Sequence, residues 1–249
     1  MNRPPLILIL GASSAIAHAY ARRRAAEGAA FILVGRRQDR TSAVAADLLA
    51  RGAASAETFA TDLAAIDTIE PSWRTLHARF GDPDEAVIAY SILGDQATAE
   101  HDLAAARSVL DTNFTSAALW ILALLADRRA DAPFTLVGIG SVAGDRGRAS
   151  NFIYGAAKGG LDRFLEGLRQ RYDGTPVRII TIKPGFVDTP MTAKMTKGGP
   201  LWATPERVAV DIHRAVAKGK RMRYTPWFWR AIMLIIRHLP WFIFRRLKI

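Results

Sequence analysis

Cysteine is absent from all 249 residues. That excludes a disulfide framework, a thiolate nucleophile and any cysteine-ligated metal centre; a reducing compartment suits it, and no metal site is expected. Long hydrophobic runs are also scarce. The first, Leu6–Leu10, stops at Gly11, too short for a signal-peptide core and with no small-residue cleavage site behind it. No stretch approaches the roughly 20 apolar residues of a spanning helix, so a cytoplasmic chain is expected. Acidic side chains are missing from one end. The last is Asp211, and residues 212–249 hold ten Lys or Arg and no Asp or Glu. The rest of the chain carries 24 basic and 23 acidic residues. A nearly neutral body therefore bears a strongly basic tail, which needs its own explanation.

What is present is an alternation of short apolar runs with longer Ala-rich stretches at helical spacing. Strands are predicted at residues 6–10, 31–34, 54–60, 86–90, 134–139 and 177–182. Helices are predicted at 14–27, 41–50, 103–127, 154–172 and 205–217. Such alternation implies a parallel sheet covered on both faces, an α/β doubly wound arrangement. There is no repeat, low-complexity tract or linker, so residues 1–225 read as one domain followed by a basic, hydrophobic extension at 226–249.

Between the first strand and first helix lies Gly-Ala-Ser-Ser-Ala-Ile-Ala, residues 11–17. A dinucleotide pyrophosphate needs a tight turn there, then backbone N–H groups at a helix N-terminus. Gly11 can make the turn, Ser13 and Ser14 can cap the helix and donate to phosphate, and Ile16 follows on the first turn. Ala15 and Ala17 stand where glycines are common, and taken alone the stretch reads more readily as a plain turn and cap. The second strand runs out into Gly35-Arg36-Arg37. No carboxylate is there to accept from a ribose 2′-OH; a pair of arginines suits a 2′-phosphate, placing NADPH ahead of NADH. The same arginines would serve as a solvated helix start. Asp62 is placed to accept from an adenine amino group or to cap a helix.

Tyr154 and Lys158 stand four residues apart on one predicted helical face. A nearby ammonium stabilises a phenolate, which would draw the tyrosine pKa of about 10 downward. Ser141 follows the strand at 134–139 and belongs at the carboxyl end of the sheet, where its hydroxyl can hold a substrate oxygen while Tyr154 exchanges a proton with it.

Gly11-Ala-Ser-Ser, Asp62, Asn113, Ser141, Tyr154-x-x-x-Lys158 and Pro184-Gly-Phe-Val-Asp-Thr189 together resemble the short-chain dehydrogenase/reductase family over nearly the whole chain. The resemblance implies a Rossmann-type sheet, hydride exchange with a nicotinamide, and a homodimer or homotetramer through the helices of Asn113 and Tyr154. It implies Tyr154 as acid–base residue, Lys158 on the nicotinamide ribose, Ser141 orienting the carbonyl and Asn113 supporting a water relay from Lys158. Pro184, Val187 and Thr189 would meet the nicotinamide. The family's Asn-Asn-Ala-Gly after the fourth strand is replaced by Ala89-Tyr90-Ser91-Ile92.

Residues 144–148, 151–155, 159–162, 237–240 and 243–247 further resemble the reductases of decaprenylphosphoryl-2-keto-ribose. By that likeness the substrate is the ketone of a lipid-linked sugar phosphate. Arg146 and Arg148 would meet its phosphate, or be ordinary loop charges. Met191, Met195 and Trp202 would cover it, or be mobile core side chains. The tail mixes Trp227, Trp229 and Trp241 with arginines and long aliphatics. It is expected to form an amphipathic helix, peripheral at the inner membrane face or packed on protein; no nucleic acid partner is expected. A 3-keto lipid reductase and a non-catalytic cofactor-binding scaffold remain the rival readings.

Overall fold

Strand β1 (Leu6–Leu10) is buried along almost its whole length, and its side chains point alternately into two cores. Ile7 and Ile9 enter one, Leu8 and Leu10 the other, as the two-residue period of a strand requires. The same division holds for β2 (Ala30–Gly35), where Phe31 and Leu33 oppose Ile32 and Val34. Strands buried on both faces read as continuous apolar runs, which is why these were conspicuous in the sequence.

A computed structural model describes residues 3–126, 128–129 and 131–247. The remaining strands are β3 (Ser55–Ala60), β4 (Glu85–Ile88), β5 (Phe134–Ile139), β6 (Val177–Pro184), the short β7 (Phe186–Val187) and β8 (Trp202–Ala203), and β9 (Met222–Thr225). Seven form one sheet in the order β3-β2-β1-β4-β5-β6-β9. Every pairing is parallel. This is the doubly wound sheet expected, with its order reversing between β1 and β4. Helices α1 (Ala15–Ala25), α2 (Gln38–Ala50) and α8 (Pro205–Ala217) fill the first core. Helices α3 (Ile69–Phe80), α6 (Ser116–Ala126) and α7 (Phe152–Arg171) fill the second. Two more helices, α4 (Gln96–Ala99) and α5 (Leu103–Leu110), lie between β4 and α6.

The helix predicted at 103–127 is continuous over its described length, since residue 127 lies outside the described residues. It contains a π turn at Asp111–Thr115. Leu103–Ala126 is long and apolar enough to cross a membrane, with mean hydropathy 1.5 over its most apolar window, contrary to the expectation that no such stretch exists. Half of that window is buried, and Trp120, Ile121, Leu124 and Leu125 pack in the second core, so here it is a core helix.

Helix α3 and strand β9 were not foreseen; Pro71 in the first turn of α3 and the polar composition of β9 hid their periods. The tail forms α9 (Trp229–His238) and α10 (Trp241–Phe244). Trp229 and Met233 pack with Val142 and Tyr224 in a third, smaller apolar cluster. Strands β7 and β8 pair in parallel, Phe186 with Trp202 and Val187 with Ala203, and so tie together the two ends of the segment 188–201.

Candidate active site

A cleft of about 1160 Å³ runs across the carboxyl ends of the strands, lined by Gly11 after β1, Arg36 after β2, Ser91 after β4, Ser141 after β5 and Pro184 at the end of β6. Ligands of doubly wound sheets bind in this crevice. The volume exceeds the 300–1,000 Å³ or so of an ordinary small-molecule pocket and suits two molecules side by side.

At one end, Gly11 has φ +95°, and a Cβ there would stand 2.6 Å from the Tyr90 backbone nitrogen. Only glycine lets β1 turn this close to β4. Ser13, Ser14, Ala15 and Ile16 line the cleft beyond it. Ser14 occupies the N-cap of α1, but its hydroxyl makes no capping bond, and the first turn holds no acidic residue. The expected side-chain cap is therefore absent, leaving an uncapped helix terminus facing the cleft, the arrangement that receives phosphate. The Ala17 methyl is fully buried in the first core, so it does not project where the ligand would lie. These features fit a dinucleotide.

Arg36 lines the cleft, with its guanidinium 4.0 Å from Asp62. Asp62 lines it too while accepting from the Ala64 N–H at 3.1 Å. Arg37 does not join them. It turns to Asp39, 3.1 Å away, and Arg40, within α2, lines the cleft in its place.

At the other end Ser141, Tyr154 and Lys158 come together with Pro184, Val187 and Thr189. The Ser141 oxygen accepts from the Ala143 N–H at 3.1 Å, which leaves its proton free to be donated. Lys158 is 2% exposed and donates to the Ile139 carbonyl at 3.0 Å. Burial draws its pKa down to about 8, against the pull of Asp162. Tyr154 departs from expectation. Burial pushes its pKa up, and the nearby Ser141 and Ser91 hydroxyls only moderate the rise. The Lys158 ammonium lies 6.0 Å from the tyrosine ring centre, and with its ammonium committed to a carbonyl it does not outweigh desolvation of the phenolate.

Asn113 sits in the π turn, and its side chain is engaged by the strand-end segment. It accepts from Ser91 Oγ at 2.5 Å and Ile92 N–H at 3.0 Å, and donates to the Ile92 carbonyl at 2.7 Å. The side chain thus holds the segment after β4 and makes no direct link to Lys158. Tyr90, which donates to or accepts from Ser116 at 3.0 Å, secures the same segment. Together they compensate for the missing Asn-Asn-Ala-Gly. Ser91, like Arg40, is a cleft residue that the sequence reading missed.

A buried ionic group lies behind these residues. Lys183 pairs with Asp145 and, at 2.7 Å, with Asp162, and the Tyr224 hydroxyl donates to Asp145 at 2.7 Å. Burial opposes the Lys183 charge, but the two carboxylates hold its pKa above the usual lysine value. Arg146, expected at a substrate phosphate, instead donates to backbone carbonyls of the tail, Leu239 at 2.8 Å among them. Arg148 does line the cleft, and its Nε is buried without a partner among the described residues. Met191 and Met195 line the cleft, whereas Trp202 stacks on Phe186 at 5.3 Å between ring centres.

The sequence pattern of the family described as "short chain dehydrogenase" matches residues 5–199. An uncharacterized oxidoreductase of Mycobacterium tuberculosis is 40% identical over 241 residues, covering 97% of this chain and 96% of its own. Another from Streptomyces coelicolor is 35% identical, covering 99% and 97%. A solved structure described as a short chain dehydrogenase/reductase family protein superposes with TM-score 0.76 at 27% identity, covering 90% of this chain and 97% of its own.

Proposed function

Because the chain belongs to the short-chain dehydrogenase family and is thus a nicotinamide-dependent oxidoreductase, we propose that it reduces a ketone, with Tyr154 as proton donor. The meeting of Ser141, Tyr154 and Lys158 in one cleft carries this reading. A dinucleotide held along Gly11, Ser13, Ser14, Ile16 and Lys158 would supply the hydride for the carbonyl carbon. Ser141 donates a hydrogen bond to the carbonyl oxygen and fixes its position. Tyr154 gives that oxygen its phenolic proton. A tyrosine whose pKa is raised is protonated at neutral pH, the state that reduction requires. Lys158, held by the Ile139 carbonyl, presents its remaining donors toward the nicotinamide ribose and the phenolate left after transfer. Lys183 on β6 ties Asp145, in the turn that follows Ser141, to Asp162 on α7.

Arg36 and Arg40 favour NADPH over NADH, since both offer forked donors to a 2′-phosphate. The substrate we propose is anionic and lipid-linked, such as the 2-keto sugar of a polyprenyl phosphate. Two observations support it: the unpartnered Arg148 Nε, and an apolar end formed by Met191, Met195, Leu201, Ile232 and Ile236. The apolar end alone would equally suit a 3-keto lipid. Exposed Leu103 and Leu110, two helical turns apart, support a homodimer or homotetramer through α5, α6 and α7.

The test is NADPH oxidation with a polyprenyl-phosphoryl 2-keto sugar and with an uncharged 3-keto lipid, comparing the natural protein with Arg148→Gln. Faster turnover of the sugar, with its KM raised selectively in the variant, is expected. Turnover of the 3-keto lipid alone would transfer the assignment to that class, and turnover of no ketone would refute the reductase.

A further inference from the structure

Helix α9 has two apolar faces. Trp229, Ile232, Met233 and Ile236 recur at intervals of three and four residues and pack inward with Val142, Phe186 and Tyr224. This seat is specific. A Cβ at Gly185 would stand 1.9 Å from the Trp229 ring, so only glycine lets the tryptophan lie on that loop. Arg146 closes the helix by donating to the carbonyls of Ile236 and Leu239, and its guanidinium lies 3.7 Å over the Phe244 ring. Trp229, Ile232 and Ile236 also wall the substrate end of the cleft.

The outer face is bare. Leu234 and Ile235 are 60% and 65% exposed, and the surface continues through Trp241 and Phe242 at 69% and 62%. Scattered single apolar residues are normal on a protein surface, but a run of them marks an interaction site. Arg230, Arg237, Arg245 and Arg246 are exposed around it, and no carboxylate side chain follows Asp211 in the sequence. A second copy of the chain would set these arginines against their like, which opposes association. An anionic lipid surface meets both features at once. At 10 residues the helix is about 15 Å long, half the thickness of a bilayer core, so it would lie in the membrane plane.

We propose that the outer faces of α9 and α10 dock on an anionic lipid bilayer, and that the helix resting on lipid thereby forms the portal through which an amphiphilic ketone reaches Tyr154. The second half rests on the reductase reading; the docking surface does not. Aliphatic side chains on one face enter the acyl boundary, tryptophans sit at headgroup depth and arginines reach the phosphates. The inner face keeps its contacts with the cleft throughout, so a lipid tail can remain in the bilayer while its polar head enters between α9 and the segment 188–201.

The experiment is flotation of the full-length protein with vesicles of phosphatidylglycerol and phosphatidylcholine, against phosphatidylcholine alone. NADPH binding and reduction of a short water-soluble ketone are measured in parallel. The natural protein should float with the anionic vesicles. The double substitution Leu234→Gln, Ile235→Gln should lower partitioning about tenfold. Arg237→Gln and Arg246→Gln should each lower it roughly fivefold. None of the four should alter NADPH binding or turnover of the soluble ketone. Natural protein that binds NADPH but does not float overturns the proposal. So does undiminished flotation of the Leu234→Gln, Ile235→Gln protein, or sedimentation showing that this pair dissociates a dimer. Flotation as expected, with no ketone reduced, would uphold the docking surface and refute the reductase.

Discussion

Asn113 and Ile92 bind each other in both directions: the Ile92 N–H donates to Asn113 Oδ1 at 3.0 Å, and Asn113 Nδ2 donates to the Ile92 carbonyl at 2.7 Å. A side chain 21 residues away in sequence thus acts as the missing strand partner for the segment after β4. Asn113→Ala strands both backbone groups and releases Ser91. A loss of about 2 kcal/mol is expected from two partly buried groups left without partners, read as a lower urea midpoint with an unchanged slope.

Tyr154→Phe removes the proposed proton donor while keeping the ring. Turnover should fall by roughly 100- to 10,000-fold, the usual contribution of a positioned general acid. The dissociation constant for NADPH, followed by nicotinamide fluorescence, should change little. Near-normal turnover in this variant would place the acid elsewhere.

The Lys158 value of about 8 gives a pH dependence of definite sign. Its ammonium prevails at pH 7 and is lost as pH rises through 8, so dinucleotide affinity should weaken between pH 7 and 9. In Lys158→Met that dependence should flatten. For stability the direction is opposite. Above about 8 the unfolded chain binds this proton more tightly than the folded one, so this group makes folding more favourable as pH rises toward the ordinary lysine value.

Arg36 and Arg40 line the cleft, while Arg37 pairs with Asp39. Substituting either of the first two with alanine should weaken NADPH about tenfold and leave NADH nearly unaffected, since one charged hydrogen bond is worth about 1.5–3 kcal/mol. Arg37→Ala should leave both cofactors unchanged in the same titration.

Lys183→Met should be the most destabilising of these substitutions. It leaves Asp145 and Asp162 buried against each other without their cation, a loss of about 3–5 kcal/mol. Thermal denaturation at pH 7 and pH 5 separates the cause. Acid should restore part of the loss by protonating Asp162, whose pKa burial already pushes upward.

The sheet was legible because its central strands are buried on both sides and leave unbroken apolar runs in the sequence. The triad of Ser141, Tyr154 and Lys158 was legible because four-residue spacing and a strand end are local properties. What escaped was set by tertiary contact. Arg37 and Arg40 are equivalent in composition, and only the path of α2 decides which one meets the cleft. Arg146 and Arg148 differ by two positions, yet one is captured by tail carbonyls. Ser91 carries no motif and acquires its place from the Asn113 clamp. The upward shift of Tyr154 follows from desolvation, which no spacing of charges in the sequence reveals.

The paired strands β7 and β8 close segment 188–201 into a loop fixed at its base by Phe186–Trp202 and Val187–Ala203. Lengthening such a loop costs only about 0.6 kcal/mol for each doubling, and its clasp lies outside the main sheet. The segment is therefore a replaceable cassette. Its length and side chains can diverge, and substrate preference with them, while the hydride-transfer scaffold beneath is inherited intact.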